Sequence, residues 1–331
     1  MGYVYALLAA VLFGANGSVT KILVQAGLDP GKLTLLRVIA TALIAGVVLL
    51  VTDRNAFRVS PRQLGVLAVL GIAGVAMLQY SYAVALGLLP VGITLLIEYM
   101  AVLLVALVAF FVFKEKVRAR LWLAIGFVLV GLAIVAQIWA GTLDPFGVLM
   151  ATVAAVTLTI YFVVGEHAVG TIPPMAVAFW SMSFATLFWL VFSGWWTLDP
   201  SIFGSLHSLG GALVEIVLPL WVPLLWTLIL GSFAPFFLSL LALSRLSATA
   251  AGIVASSEVI FAFLFAWLWL GEGLDAVQLV GAGVVLAGII LAQTARAHKV
   301  VDADLALAPV GFPFERPAIA MTVVSPIVKE K

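Results

Sequence analysis

Apolar residues run almost unbroken along the chain, and short clusters of charge, proline and glycine divide them. A bilayer core needs about 20 mostly apolar residues per helix. Ten runs meet that length, at about 3–25, 33–52, 63–87, 91–113, 119–138, 146–165, 175–194, 217–243, 247–270 and 276–295. Outer-membrane strands alternate in short segments, and these runs do not. The pattern predicts an all-α integral membrane protein with ten transmembrane helices. Residues 300–331 follow as a flexible cytoplasmic tail.

Composition sharpens this picture. The 331 residues are 65% hydrophobic and 9% charged, where soluble domains carry about 25% charge. That excludes a soluble globular fold, disorder and a coiled coil. A net charge of +1 leaves no footprint for nucleic acid. The chain holds no cysteine, which excludes disulfides, thiolate-bound zinc and thiol catalysis. Its histidines, His167, His207 and His298, are far apart in the chain and suggest no metal site. No HExxH, GxSxG, phosphate loop or paired catalytic aspartates appear, so neither an enzyme nor a cofactor is expected. The first apolar run is too long for a cleavable signal peptide and lacks a basic start.

Lys and Arg in short loops orient a membrane protein. Arg54, Arg58 and Arg62 lie between runs two and three, and Lys114, Lys116, Arg118 and Arg120 between four and five. Arg245 lies between eight and nine, and Arg296 and Lys299 follow the last run. The alternate loops hold Lys32 and otherwise the acids Asp29, Asp144, Asp199, Glu215, Glu272 and Asp275. Both termini are therefore expected in the cytoplasm, with the protein multi-pass in the plasma membrane. Trp195 and Trp196 open the longest outer loop, about 195–216, as interfacial anchors.

A shift of 157 residues aligns two stretches of the chain. Ala85, Leu86 and Leu89 fall on Ala242, Leu243 and Leu246; Glu115 falls on Glu272 and Ala119 on Ala276. Gly126, Val128, Leu129 and Gly131 fall on Gly283, Val285, Leu286 and Gly288. Each half, 3–138 and 146–295, holds five runs. Five is odd, so the second copy enters the membrane from the opposite side, as an inverted repeat. Two inverted halves can exchange conformations, which alternating access requires.

Two segments resemble a known family. One reads Tyr82-Ala83-Val84-Ala85-Leu86-Gly87-Leu88-Leu89-Pro90-Val91-Gly92, followed by Leu96-Ile97-Glu98-Tyr99-Met100-Ala101. The other reads Leu241-Ala242-Leu243-Ser244-Arg245-Leu246-Ser247-Ala248, followed by Ser257-Glu258-Val259 and Leu270-Gly271-Glu272. They are similar to the EamA-like branch of the drug/metabolite transporter superfamily, which implies two five-helix EamA-like repeats over about residues 3–295. Val102 and Val259 stand where that family often has proline. The fourth and ninth helices look most like those of bacterial threonine/homoserine exporters, which implies export of small metabolites without ATP.

A charge at mid-membrane costs about 3 kcal/mol or more, so Lys21, Arg37, Glu98 and Glu258 need partners or an aqueous cavity. At about 1.5 Å per residue, Lys21, Arg37 and Glu98 lie near one level on the outer side. A charge cluster of Lys21 or Arg37 with Glu98 is expected, the alternative being that the two cations snorkel to headgroups. Glu258 lies about 16 Å from the inner surface on the same scale. It has the profile of a proton-coupling group or an amine contact, or of a neutral acid bonded to a neighbouring helix; Glu98 is the second candidate proton carrier. Asn16, Thr20, Gln79, Tyr82, Tyr99, Tyr161 and Trp180 add hydrogen-bonding and aromatic groups. With Glu98 and Glu258 they form the candidate substrate-binding set, against the plainer reading that each bonds helix to helix. Gly126, Gly131, Gly283 and Gly288 read as close packing, and Pro235 should kink the eighth helix.

The expected function is secondary transport, export of amino acids, related metabolites or drugs, with protons as the driving ion. The partners are a small-molecule substrate, membrane lipids and protons. A channel or lipid scramblase of the same architecture is the alternative.

Overall fold

The computed structural model describes residues 2–111, 120–135, 143–243, 245 and 254–295. Helix α1 spans Gly2–Gln25 and α2 spans Pro30–Thr52. Helix α3 runs over Pro61–Leu88, and α4 comes in two pieces, Val91–Glu98 and Ala101–Phe111. Then follow α5 (Arg120–Val135), α6 (Pro145–Val169) and α7 (Pro174–Phe192). Helix α8 combines Trp221–Leu228, Ile229–Phe233 and Ala234–Leu243. Helix α9 combines Ser257–Phe265 with Ala266–Leu270, and α10 spans Ala276–Ala295. Between α7 and α8, β1 (Leu206–Ser208) pairs antiparallel with β2 (Val217–Pro219).

Short polar signals set the helix starts. Asp29 accepts from the Gly31 and Lys32 N–H groups at 2.9 and 3.1 Å, with Pro30 in the first turn of α2. Ser60 and Gln63 cap α3 reciprocally behind Pro61. Asp144 caps α6 through the Gly147 N–H, and Asp275 caps α10 through the Gln278 N–H. Proline is tolerated at these positions because the first helical N–H groups have no partner within the helix. Asp199 accepts from the Ser201 N–H in the loop before β1, and that bond holds its carboxyl below the usual range.

Among the described residues, six helices are long and apolar enough to cross a membrane: α1, α2, α3, α6, α7 and the Trp221–Ser239 part of α8. The other expected spans contain the shorter apolar helices Val91–Val105, Trp122–Val135, Ser257–Leu270 and Ala276–Leu291. Of these, Trp122–Val135 directly abuts residues outside the described set. Lys114, Glu115, Lys116, Arg118, Ala119, Ser244, Leu246, Arg296, His298, Lys299 and the tail from 300 to 331 lie outside the described residues.

Helix α1 packs on α8 and α9, and α6 packs on α3 and α4. Helix α2 lies against α7, and α5 against α10. The α5–α10 seam shows why glycine is used. A Cβ on Gly131 would stand 2.7 Å from the Val285 N, and one on Gly288 3.0 Å from the Ala124 O. Gly126 and Gly283 depart from expectation, because a Cβ at either meets nothing within 4 Å; close packing does not explain them.

Among the described residues three helices widen into π turns, at Leu70–Ala76 in α3, Ile229–Phe233 in α8 and, at the end of α9, Ala266–Leu270; the first two lie inside the bundle helices. The expected distortion at Pro235 is this second turn. Proline lacks the N–H that the carbonyl four residues earlier would accept, and that carbonyl, Gly231, lies inside the widened turn. In α3, a Cβ on Gly71 would collide with the Ser181 carbonyl of α7. Trp189 of α7 donates its indole N–H to the Ala76 carbonyl at 3.2 Å, at the end of the wide turn.

Replacing Gly131 by Leu should overpack the α5–α10 seam and cost about 1–3 kcal/mol. The check is the thermal unfolding midpoint in detergent, which should fall for Gly131→Leu and stay unchanged for Gly126→Leu.

Candidate functional site

Helix α4 stops and restarts inside the bundle. Tyr99 and Met100 leave the α-helical pattern between its two pieces, and the Met100 and Val102 N–H groups bond only three residues back. Helix α9 does the same: Val254 and Ala255 are helical, Ser256 is not, and the Val259 N–H bonds to the Ser256 carbonyl. These breaks occur although Val102 and Val259 replace the expected prolines. At each the chain tightens into a turn with i to i+3 bonds, which leaves backbone carbonyls free for other partners.

The two interruptions meet. The Tyr99 hydroxyl lies 2.7 Å from Glu258 Oε2 and 3.1 Å from the Ala255 carbonyl oxygen. It donates to one of them at a time, so it either caps the broken helix or holds the carboxyl. Tyr99 is buried, although it lies at the end of a helix piece.

Around this contact lies a cluster from six helices. Arg37 of α2 is 4% exposed and donates from Nε to the Ser232 Oγ of α8 at 2.8 Å. Glu98 is 8% exposed, and it interacts electrostatically with Arg37, Tyr82 and Glu258. Tyr82 of α3 brings its hydroxyl to Gly17 of α1, where a Cβ would stand 2.9 Å away. Asn16 of α1 presses its amide on Gly231 so closely that any side chain there would collide with it. Gly14 meets the Glu258 carbonyl in the same way, at 3.0 Å. Small residues thus let α1 approach α8 and α9 closely and carry Asn16 into the cluster.

Several polar atoms here have no hydrogen-bond partner among the described residues. They include Asn16 Oδ1, Arg37 Nη1 and Glu98 Oε2, as well as Thr20 Oγ1, Gln79 Oε1, Thr41 Oγ1 and Thr227 Oγ1. Buried polar groups are ordinarily bonded. A cluster with a donor and acceptors left over is suited to a polar ligand or to water.

Residues 1–137 and again 145–294 match the EamA-like transporter family. The chain belongs to that family. The EamA-like protein is thus a multi-pass membrane transporter of the drug/metabolite type, and members of this family are transporters rather than enzymes. No curated protein matches it in sequence. One solved crystal structure, titled only as that of a protein, is similar with a TM-score of 0.59 and 19% identity. The match covers 87% of this chain and 96% of the other, and it speaks for the fold alone.

Within the EamA-like transporter the predicted residues divide into three groups. Asn16, Arg37, Tyr82, Glu98, Tyr99 and Glu258 come together. Thr20 and Gln79 are turned inward with unpartnered oxygens. Tyr161 instead packs on Phe236 and on Gly74 in the wide turn of α3. Trp180 sits apart, donating to the Phe57 carbonyl at 3.3 Å and packed against Phe179 and Phe184. Lys21 corrects the expected charge cluster, since its ion pair is with Glu272 at 2.6 Å and not with Glu98. Arg37 is the cation in the field of Glu98, but its bonded partner is Ser232.

Sequence reading did not single out Thr41, Thr227 or Gly231, and it gave Glu272 no ionic partner. Thr41 stands four residues after Arg37, on the same helical face, and that spacing was a usable signal. Glu272 read as a loop acid because its partner is 251 positions away in the chain.

Removing the Tyr99 hydroxyl while keeping its ring, Tyr99→Phe, should cost about 1–2 kcal/mol. Thermal unfolding in detergent measures it, with the exposed Tyr3→Phe as an unchanged control.

Proposed function

We propose that this chain is a secondary exporter of amino acids or related small metabolites, working by alternating access with protons as the driving ion. Its ten spans form two inverted five-helix halves, with the hairpin end outside and both termini in the cytoplasm. The observation that carries the reading is the meeting of two interrupted helices at Tyr99 and Glu258. Discontinuous helices at a repeat interface are where secondary transporters place their binding sites.

Several features support the inverted duplication. The family matches the chain in two separate stretches. The interruption at Tyr99 falls on Ser256 under the 157-residue shift, and the wide turn of α3 falls on that of α8. The packing is mirrored as well: α1 on α8 and α9 corresponds to α6 on α3 and α4. Across the halves, Asn16 sits against Gly231, and Tyr161 correspondingly sits against Gly74.

The cluster supplies a mechanism. One guanidinium, Arg37, lies in the field of Glu98, which lies in turn in the field of Glu258. If both carboxyls are ionised, one negative charge is left over, which is costly away from water. A proton cancels it, and so does the ammonium group of a substrate. The two then compete for one charge vacancy, and that competition is the basis of proton–substrate exchange. Arg37 Nη1 remains to take the carboxylate of an amino acid, and Asn16 Oδ1 is left for a donor group.

Protein reconstituted in liposomes should move radiolabelled amino acids against an imposed pH gradient. Glu258→Gln, with an unfolding midpoint close to that of the parent, should abolish gradient-driven movement. Parental transport by this variant removes Glu258 from the mechanism, and no movement of any amino acid by the parent overturns the substrate class.

A further inference from the structure

At the hairpin end of the bundle a second set of charges lies between the polar cluster and the outer loop. Lys21, near the end of α1, places its Nζ 2.6 Å from Glu272 Oε1 and donates to the Leu89 carbonyl at 2.9 Å. Glu272, in the link between α9 and α10, accepts from the Val91 N–H with its other oxygen at 2.8 Å. Lys21, Leu89 and Val91 belong to the first half of the chain and Glu272 to the second. The four groups therefore tie the halves together at one end. The side chains are 12% and 20% exposed, which leaves the pair reachable by water.

Beyond the pair is a cavity of about 350 Å³, lined by Lys21, Glu272, His207, Ser208, Gly210 and Leu270 among others. The outer loop is strapped beside it. The Trp269 indole donates to the Leu209 carbonyl at 3.0 Å, and Gly211 lies so close to the Trp269 carbonyl that only glycine fits. The pair forms part of the cavity wall on the side of the bundle, and Asn16 lies five residues along α1 from Lys21.

Among the described residues the opposite end shows no matching pair. Asn16 and Tyr161 occupy matching places against Gly231 and Gly74. Five residues after each comes Lys21 in α1 and Glu166 in α6, and Glu166 is exposed. An acid stands where the lysine would be, so the pair is a feature of one mouth and not a packing motif inherited by both halves.

We propose that Lys21 and Glu272 are the latch of an outer gate. Paired, they close the cavity from the Arg37–Glu98–Glu258 cluster; separated, they join the two and open the route to the hairpin side. This rests on the transport reading above. A rocking bundle must break every contact across the mouth it opens. A partly hydrated ion pair suits that task, because water takes over its charges as it parts.

The absence of cysteine makes the test clean. Asn16→Cys is introduced as a reporter and labelled from the hairpin side with a membrane-impermeant maleimide. Adding Glu272→Gln should raise the labelling rate about fivefold, the scale of losing an exposed pair. The charge swap Lys21→Glu with Glu272→Lys should return it toward the parent rate. In a second arm, Lys21→Cys with Glu272→Cys is bridged by a reducible bifunctional thiol reagent. Bridging should stop transport and reduction should restore it, which also shows that the variant is folded. Equal labelling with and without Glu272→Gln overturns the latch, as does full transport by the bridged protein. Labelling that follows the latch while no solute moves upholds the latch and counts against the transport reading alone.

Discussion

A helix that is broken inside a bundle exposes backbone carbonyls and amides that hydrocarbon cannot satisfy. The break has to be placed where protein or water supplies the missing partners. In this chain two such breaks are set against each other, and Tyr99 serves both. Its ring fills the core, while its hydroxyl stands between the Ala255 carbonyl at one break and the carboxyl of Glu258 just past it. The surrounding polar cluster follows from that arrangement. Once α4 and α9 are interrupted side by side, Glu98 and Glu258 come within each other's field. Arg37 is then drawn in as the balancing cation, and glycines at 14, 17 and 231 let α1 come close enough to contribute Asn16.

The wide turns of α3 and α8 belong to the same economy of backbone groups. Each adds a residue to one helical turn and releases a carbonyl. In α3 the indole of Trp189 answers the carbonyl of Ala76. In α8 the missing donor is the imide of Pro235, and the turn directs Ser232 toward Arg37. The wide turns therefore place polar groups as well as bend helices. A Ser232 one residue out of register would lie on another face of α8, and Arg37 would lose its bonded neighbour.

Much of the helical layout was legible because it is written in local chemistry. Apolar run lengths, Pro30, Pro61, Pro145 and Pro174 at helix starts, and the caps Asp29, Ser60, Asp144 and Asp275 act over a few residues each. The same caps give the acids of one set of loops a structural reason, so the orientation argument stands on Lys and Arg. The site was legible in kind, since a charge inside an apolar run demands a partner. Its pairings were not. Depth along a helix says nothing about rotation around it, so Lys21 and Arg37 stood at one level with Glu98 while only Arg37 lies in its field. Trp180 is a similar case: its indole donates to the Phe57 carbonyl, a partner that depth along the helix does not announce. The breaks at Tyr99 and Ser256 were hidden because valine holds the positions where proline would have announced them.

The two cations Arg37 and Lys21 illustrate how residue type follows the job. Arg37 sits where a charge must persist without bulk water. A guanidinium keeps its proton and spreads five donors over a plane, so one N–H can be held by Ser232 while another stays available. A lysine there would be a compact point charge without the planar fork that divides between Ser232 and a second partner. Lys21 sits at a mouth, partly exposed, bonded to one carboxylate oxygen and one carbonyl. An ammonium is strongly hydrated, and its flexible stem lets it swing from Glu272 to water without disturbing α1. An arginine in its place would grip Glu272 with two parallel bonds and resist opening. The buried cation is the kind that holds, and the partly exposed one is the kind that lets go, which is the order that the proposed exporter, with its proposed outer gate, requires.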